Sequence, residues 1–111
     1  METKRVINIR GMDCLPEIEE KYNTWYNERH IPMLLETGEI RSVTRYKRVG
    51  DDKQYPKYLA IYEFENLPAF QRYENHPQLA AAIEDVKQTF PEGGTESKWR
   101  VQYEAIKTWE R

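Results

Sequence analysis

Tyr58-Leu59-Ala60-Ile61-Tyr62-Glu63-Phe64 alternates with a period of two, and its two faces are both rich in apolar side chains. Tyr58, Ala60, Tyr62 and Phe64 fall on one side, Leu59 and Ile61 on the other. Aromatic and β-branched residues at this spacing make a strand. A strand apolar on both faces needs a layer against each. What flanks it names the layers. Upstream, Ile40 to Val49 also alternates, through Val43, Thr44, Tyr46 and Val49, and Gly50-Asp51-Asp52 supplies a polar turn between the two strands. Downstream, Asn66 is placed to cap a helix whose first turn holds Pro68.

The outer segments complete the order. Lys4 to Arg10, with Val6, Ile7 and Ile9, reads as a first strand bounded by Gly11. From Leu15 the period changes to a helical one: Leu15, Ile18, Tyr22, Trp25, Tyr26, Arg29 and Met33. Pro16 suits the first turn, Pro32 should kink or break the helix, and Gly38 is a stop. After Phe70 and Tyr73, His76-Pro77 interrupts the second helical region, because a residue before proline disfavours the helical conformation. Leu79, Ile83, Val86 and Phe90 continue it, Pro91, Gly93 and Gly94 form a loop, and Trp99 to Thr108 reads as the last strand. The order is βαββαβ, the ferredoxin-like arrangement, an α+β fold with a four-stranded antiparallel sheet and both helices on one face. Residues 1–111 then make one domain. The second sheet face calls for a cover, and a second copy packed sheet to sheet is the simplest.

Composition narrows the function classes. Of 111 residues, 39% are apolar and 32% charged, the balance of a folded globular chain rather than a disordered one. The net charge of −2 comes without a long basic stripe, so a nucleic-acid partner is not expected. No apolar run has the length of a membrane span. Met1 to Arg10 reads as strand and not as a signal peptide. Cys14 is the sole cysteine, which rules out an internal disulfide and makes a cytoplasmic setting the default. No glycine-rich phosphate loop occurs.

Two stretches resemble known proteins. Tyr22-Asn23-Thr24-Trp25-Tyr26-Asn27-Glu28-Arg29-His30-Ile31-Pro32-Met33 is similar to the first-helix signature of EthD-like proteins, an aromatic pair followed by His-x-Pro. Phe70-Gln71-Arg72-Tyr73-Glu74-Asn75-His76-Pro77 resembles the second-helix element of stress-responsive dimeric α/β-barrel domains. The resemblance implies a homodimer whose sheets form a barrel, with a cleft between helices and sheet in each subunit. Members of that superfamily include cofactor-free isomerases, polyketide cyclases, haem-degrading monooxygenases and proteins without known activity. The cyclases carry a second histidine two residues after the His-Pro pair; here that position is Leu79.

Candidate chemistry gathers on aromatic and histidine positions. Tyr22, Tyr26 and His30 follow at steps of four and share one helical stripe. His30 suits proton transfer, since its ordinary pKa is near neutrality; the alternative is a structural role, satisfying carbonyls freed by Pro32. Tyr26 and His76 are its candidate catalytic partners, although His76 equally fits a cap at a helix junction. Asn8, Tyr22, Trp25, Tyr62 and Tyr73 are candidates for lining a pocket for a small hydrophobic molecule, or else for core packing. Arg10 and Arg45 read as solvated strand-end charges. Two histidines without a cysteine or carboxylate ligand pattern predict no metal site, and no cofactor is expected. Haem-degrading relatives use a first-strand asparagine with a tryptophan and a histidine on the second helix. Asn8 and His76 match two of these places, and that helix has no tryptophan. Cys14, in a loop before a helix, is not expected to act as a nucleophile. The leading expectation is a cofactor-free isomerase, cyclase or lactone-transforming protein acting on a hydrophobic carbonyl or aromatic compound. The rival is a non-catalytic homodimeric accessory protein.

Overall fold

The structure, a computed structural model, describes residues 4–111. In chain order it comprises β1 (Val6–Cys14), a 3-10 turn (Pro16–Ile18), α1 (Glu19–Trp25), a π-helical turn (Tyr26–His30), α2 (Ile31–Leu35), β2 (Ile40–Lys47), β3 (Tyr58–Phe64), α3 (Leu67–Glu74), α4 (Pro77–Thr89) and β4 (Thr95–Glu104). The four strands pair antiparallel in the order β2-β3-β1-β4, the ferredoxin-like sheet. Among the described residues no helix is long and apolar enough to cross a membrane.

Register fixes which residues share a face, because directly opposed residues point to the same side. One face carries the rows Val6–Phe64, Asn8–Tyr62, Arg10–Ala60 and Met12–Tyr58. Val6, Asn8, Tyr58, Ala60, Tyr62 and Phe64 of these are buried, and Tyr22, Trp25, Tyr26, Leu34, Phe70, Tyr73 and Phe90 close over them from the helical side. The other face carries Ile7, Ile9, Leu59, Ile61, Val101, Trp99, Tyr103 and Tyr46 in register. Of these, Trp99 is 41%, Tyr46 50% and Tyr103 58% exposed, so the apolar second face stands uncovered in the single chain.

Several boundaries differ from those read in the sequence: β2 ends at Lys47 rather than Val49 and β4 at Glu104 rather than Thr108, and three further differences have a physical reason. β1 does not end at Gly11 but runs through it to Cys14. A Cβ at Gly11 would lie 2.8 Å from Pro56 Cγ and 3.0 Å from Trp99 Cε2, so the glycine permits a close approach on the outer face instead of ending the strand. Cys14 accordingly closes β1, paired with Thr95, and is not in a loop. β4 begins at Thr95 rather than Trp99, because β1 is longer than expected and its extension pairs with Thr95 to Ser97 across a bulge. Pro32 does not end the first helical region. The preceding turn widens to π geometry, with the Ile31 N–H donating to the Tyr26 carbonyl, and Pro32 then sits in the first turn of α2, where no N–H partner is needed.

Candidate functional site

A cavity of about 280 Å³ opens between the first helical region, α4 and the start of the sheet, lined by Arg10, Met12, Tyr22, Trp25, Tyr26, His30, Ile83, Val86, Lys87, Thr95 and Ser97. The helical stripe expected from the sequence supplies its wall. Tyr22 and Tyr26 meet edge to face at 5.6 Å between ring centroids, and Tyr26 meets His30 the same way at 4.8 Å. The π-turn adds Trp25, whose indole stacks on the His30 imidazole at 4.6 Å.

His30 is 8% exposed, and its Nδ1 is buried without a hydrogen-bond partner among the described residues. It therefore does not tie up carbonyls freed at Pro32, which removes the structural role considered for it. Burial, with the Arg10 and Arg45 guanidinium groups adding to it and Asp85 opposing, lowers its pKa to about 4. The ring is neutral at pH 7, so one nitrogen can accept a proton. Asp85 stands behind the wall: Trp25 Nε1 donates to its Oδ2 at 3.0 Å, and Arg29 grips both its oxygens at 2.9 and 3.0 Å. Hydrogen bonds from Arg29 hold the Asp85 carboxyl below its usual range. Asp85 carries no signal in the sequence: its place two residues past Ile83 on the same helix gives no sign of its contacts with the sequence-distant Trp25 and Arg29.

The tyrosine hydroxyls divide into two groups. Tyr22 Oη is buried and unpartnered, and burial pushes its pKa upward. Tyr26 Oη is hydrogen-bonded to Tyr62 Oη in a fully buried pair, and burial raises both. Tyr62 thus supports the wall through Tyr26 and does not line the cavity. Neither do Asn8, Tyr73 and His76. Asn8 Oδ1 accepts from Gln102 Nε2 at 2.9 Å across the β1–β4 ladder. Tyr73 packs on Phe64 at 5.0 Å, and burial lifts its pKa to about 12. His76 is the N-cap of α4, its Nδ1 accepting from the Gln78 N–H at 3.0 Å. Cys14 is a partly buried free thiol whose pKa burial raises, which disfavours the thiolate.

Arg10 and Arg45 are not solvated strand ends. Both lie on the helix side of the sheet, half-buried. Arg45 sits over the Tyr26 ring at 4.3 Å and donates to Asn23 and Asn27 at 2.9 and 2.8 Å. The alternation carried this signal, since Arg10 is in phase with Val6 and Asn8, and Arg45 with Val43. Among the described residues no cluster of three or more histidine, cysteine or carboxylate groups is placed to hold a metal. The pair that a haem reading needs, Asn8 and His76, is divided between a cross-strand hydrogen bond and a helix cap, and neither residue faces the cavity; they do not fit that group.

Fold and site together define a ferredoxin-like α+β protein with a small aromatic cavity under its helices. The chain belongs to the family described as a domain of unknown function, DUF4286, whose model matches residues 7–102. No curated protein matches it by sequence. Solved structures share the fold at low identity. The hydroxynitrile lyase from Passiflora edulis superposes with a TM-score of 0.71 at 13% identity, covering 99% of this chain and 100% of that one. The haem-degrader MhuD from Mycobacterium tuberculosis gives 0.68 at 15%, with 95% and 99% covered. An ethyl tert-butyl ether degradation (EthD) family protein from Bacillus halodurans gives 0.62 at 13%, with 96% and 100% covered. The resemblance to EthD-like proteins therefore holds at the level of the fold, and the spread of chemistries among these neighbours leaves function to the site.

Proposed function

We propose that this protein binds a small hydrophobic carbonyl or aromatic compound in the cavity beneath its first helical region, and that His30 moves a proton on it without a cofactor. The observation that carries this reading is a neutral, buried histidine with an unpartnered nitrogen in the wall of an aromatic cavity. A histidine retained for packing alone would be expected to find a partner for each buried nitrogen. Tyr22, with its own unpartnered hydroxyl, is placed to orient a carbonyl oxygen, and Trp25 and Tyr26 provide flat apolar contact. Because its pKa lies below neutrality, His30 acts first as the base, in the manner of isomerase, cyclase or lactone chemistry. The cavity's aromatic lining, with two unpartnered buried polar groups on residues of its wall, supports a ligand-binding role over that of an accessory scaffold. We further propose that the working unit is a homodimer, joined through the apolar outer sheet face.

The test uses 2-acetonaphthone in deuterium oxide. The ketone should quench tryptophan fluorescence saturably, and the protein should accelerate exchange of its methyl protons, followed by NMR. His30→Gln should lower the exchange rate by about 10²-fold or more, the usual contribution of a positioned base. Exchange unaffected by His30→Gln, or no saturable quenching, overturns the reading.

A further inference from the structure

Arg10, which lines the cavity, belongs to the cross-strand row Arg45–Ala60–Arg10–Arg100, running across all four strands on the helix side. Arg10 and Arg100 are directly opposed across the β1–β4 ladder, where like charges repel. Among the described residues one carboxylate answers this row: Glu74, 2.7 Å from Arg100. Among the described residues Arg45 meets neutral asparagine oxygens and the rings of Tyr22, Tyr26 and Tyr58, and no carboxylate. Arg10, which reaches the cavity, has less. Its Nη2 lies 3.3 Å from Ser97 Oγ and 3.9 Å from Met12 Sδ, its Nε is buried without a partner, and no carboxylate among the described residues pairs with it. Elsewhere Arg5, Arg29, Arg41 and Arg72 hold carboxylates, and the loop residue Arg48 donates to the Gly50 and Tyr55 carbonyls. Lys87, at the same cavity, is likewise without an ion pair among the described residues.

We infer that the cavity recognises an anion, and that its ligand is a hydrophobic or aromatic carboxylate. The carboxylate would lie against the Arg10 guanidinium, with Lys87 at the mouth, and the apolar body against Trp25, Ile83 and Val86. A half-buried guanidinium with an unsatisfied N–H leaves a favourable interaction unmade in the free protein. A planar, forked donor matches a carboxylate in geometry as well as charge. Ala60 next to Arg10 in the row keeps the neighbouring position small, and the aromatic cover lowers the local dielectric, which strengthens the attraction. The inference rests on the cavity being a ligand site and adds the ligand's charge to that reading.

The experiment compares 2-naphthoate, 2-naphthamide and 2-acetonaphthone, three probes of similar shape of which only the first is charged. Affinities are measured by tryptophan quenching and calorimetry on the full chain. Naphthoate should bind at least about 10-fold tighter than naphthamide, and its affinity should fall as sodium chloride is raised, while that of the amide stays level. Arg10→Met should bring the acid to the affinity of the amide, and Lys87→Met should reduce it several-fold. The salt comparison on the unaltered protein decides the matter should Arg10→Met fail to fold. Equal affinity for acid and amide, or an acid preference that survives Arg10→Met, overturns the inference. In that case binding of the ketone still supports the proposed function. Conversely, Arg10-dependent binding of naphthoate with no His30-dependent exchange of the ketone supports the anion site and overturns proton transfer.

Discussion

The Trp25 indole and the His30 imidazole stack with centroids 4.6 Å apart and planes inclined by 23°. Residues five apart do not share a side of a regular α-helix, where neighbours lie three and four positions apart. The π-turn at Tyr26–His30 widens the helix so that they do. The proline that follows benefits from the same turn. The widened segment thus admits Pro32 into a continuing helix and places an aromatic lid on the histidine at the cavity wall.

Trp25→Ala should be among the most destabilising changes in the first helical region. The indole is 7% exposed, touches Tyr22, Tyr26, Phe90 and His30, and donates to Asp85. Loss of a buried tryptophan costs about 3–5 kcal/mol. Urea unfolding of the variant should show a loss near the lower end of that range, since one edge of the ring already borders a cavity. A change below about 1 kcal/mol would mean that the indole is free to move aside.

His30 should make stability depend on pH in the acid range. Its folded pKa of about 4 lies below the unfolded value of about 6.5. Above pH 6.5 the ring is neutral in both states and contributes no slope. Between 6.5 and 4 the unfolded chain binds the proton more readily, so stability falls as pH falls, by roughly 3 kcal/mol in all, and levels off below the folded pKa. Burial is the main cause, with Arg10 and Arg45 acting in the same direction and Asp85 against them. Thermal unfolding across this range should show the slope in the wild type, and a shallower one in His30→Gln. Parallel profiles for the two would place the His30 pKa near its ordinary value.

The architecture was legible because it depends on period. The alternation of Tyr58–Phe64 survives in the structure as the buried face of β3, and of the helical stripe from Leu15 the part Tyr22, Trp25 and Tyr26 survives as the cavity wall, while Leu15 is exposed ahead of the helix. The stripe of Tyr22, Tyr26 and His30 was readable for the same reason. Trp25 stacked on His30 was not, since it depends on a π-turn that spacing alone does not signal. Arg10 and Arg45 differ from the solvated strand ends that their charge suggests, because strand phase outweighs charge: they alternate with Val6, Asn8 and Val43 and lie on the helix side. Gly11 read as a boundary because its need for space comes from Pro56 and Trp99, distant in sequence. His76 fitted a cap or a site, and only the bond from Gln78 decides for the cap.

The Tyr26–Tyr62 pair should be strongly coupled. The hydroxyls satisfy one another in a fully buried setting. Tyr26→Phe or Tyr62→Phe alone leaves one hydroxyl without a partner, at a cost of about 1–3 kcal/mol. Removing both leaves none, so the double variant should lose less than the two single losses added together, by about 1 kcal/mol or more in a double-mutant cycle. Additive losses would show that each hydroxyl finds another partner.

The outer sheet face should hold two copies together. Ile9, Ile61 and Val101 form one row in register, and Leu59, Trp99 and Tyr46 the row beside it, around Gly11. Trp99 at 41% and Tyr46 at 50% exposure leave large apolar surface facing water in the single chain. A contiguous patch of this kind on a sheet is covered most simply by its own copy, since a two-fold axis makes the patch self-complementary. Ile61 lies at the centre, flanked by Ile9 on one side and Thr44 on the other. Its side chain makes no part of the helix-side core, so Ile61→Glu should leave the fold intact while setting two carboxylates against each other across the axis. Sedimentation at micromolar concentration should give twice the chain mass for the wild type and the single chain mass for Ile61→Glu, with circular dichroism unchanged. A wild type that sediments as a stable monomer rules out the paired sheets. A variant that remains dimeric moves the interface to another surface.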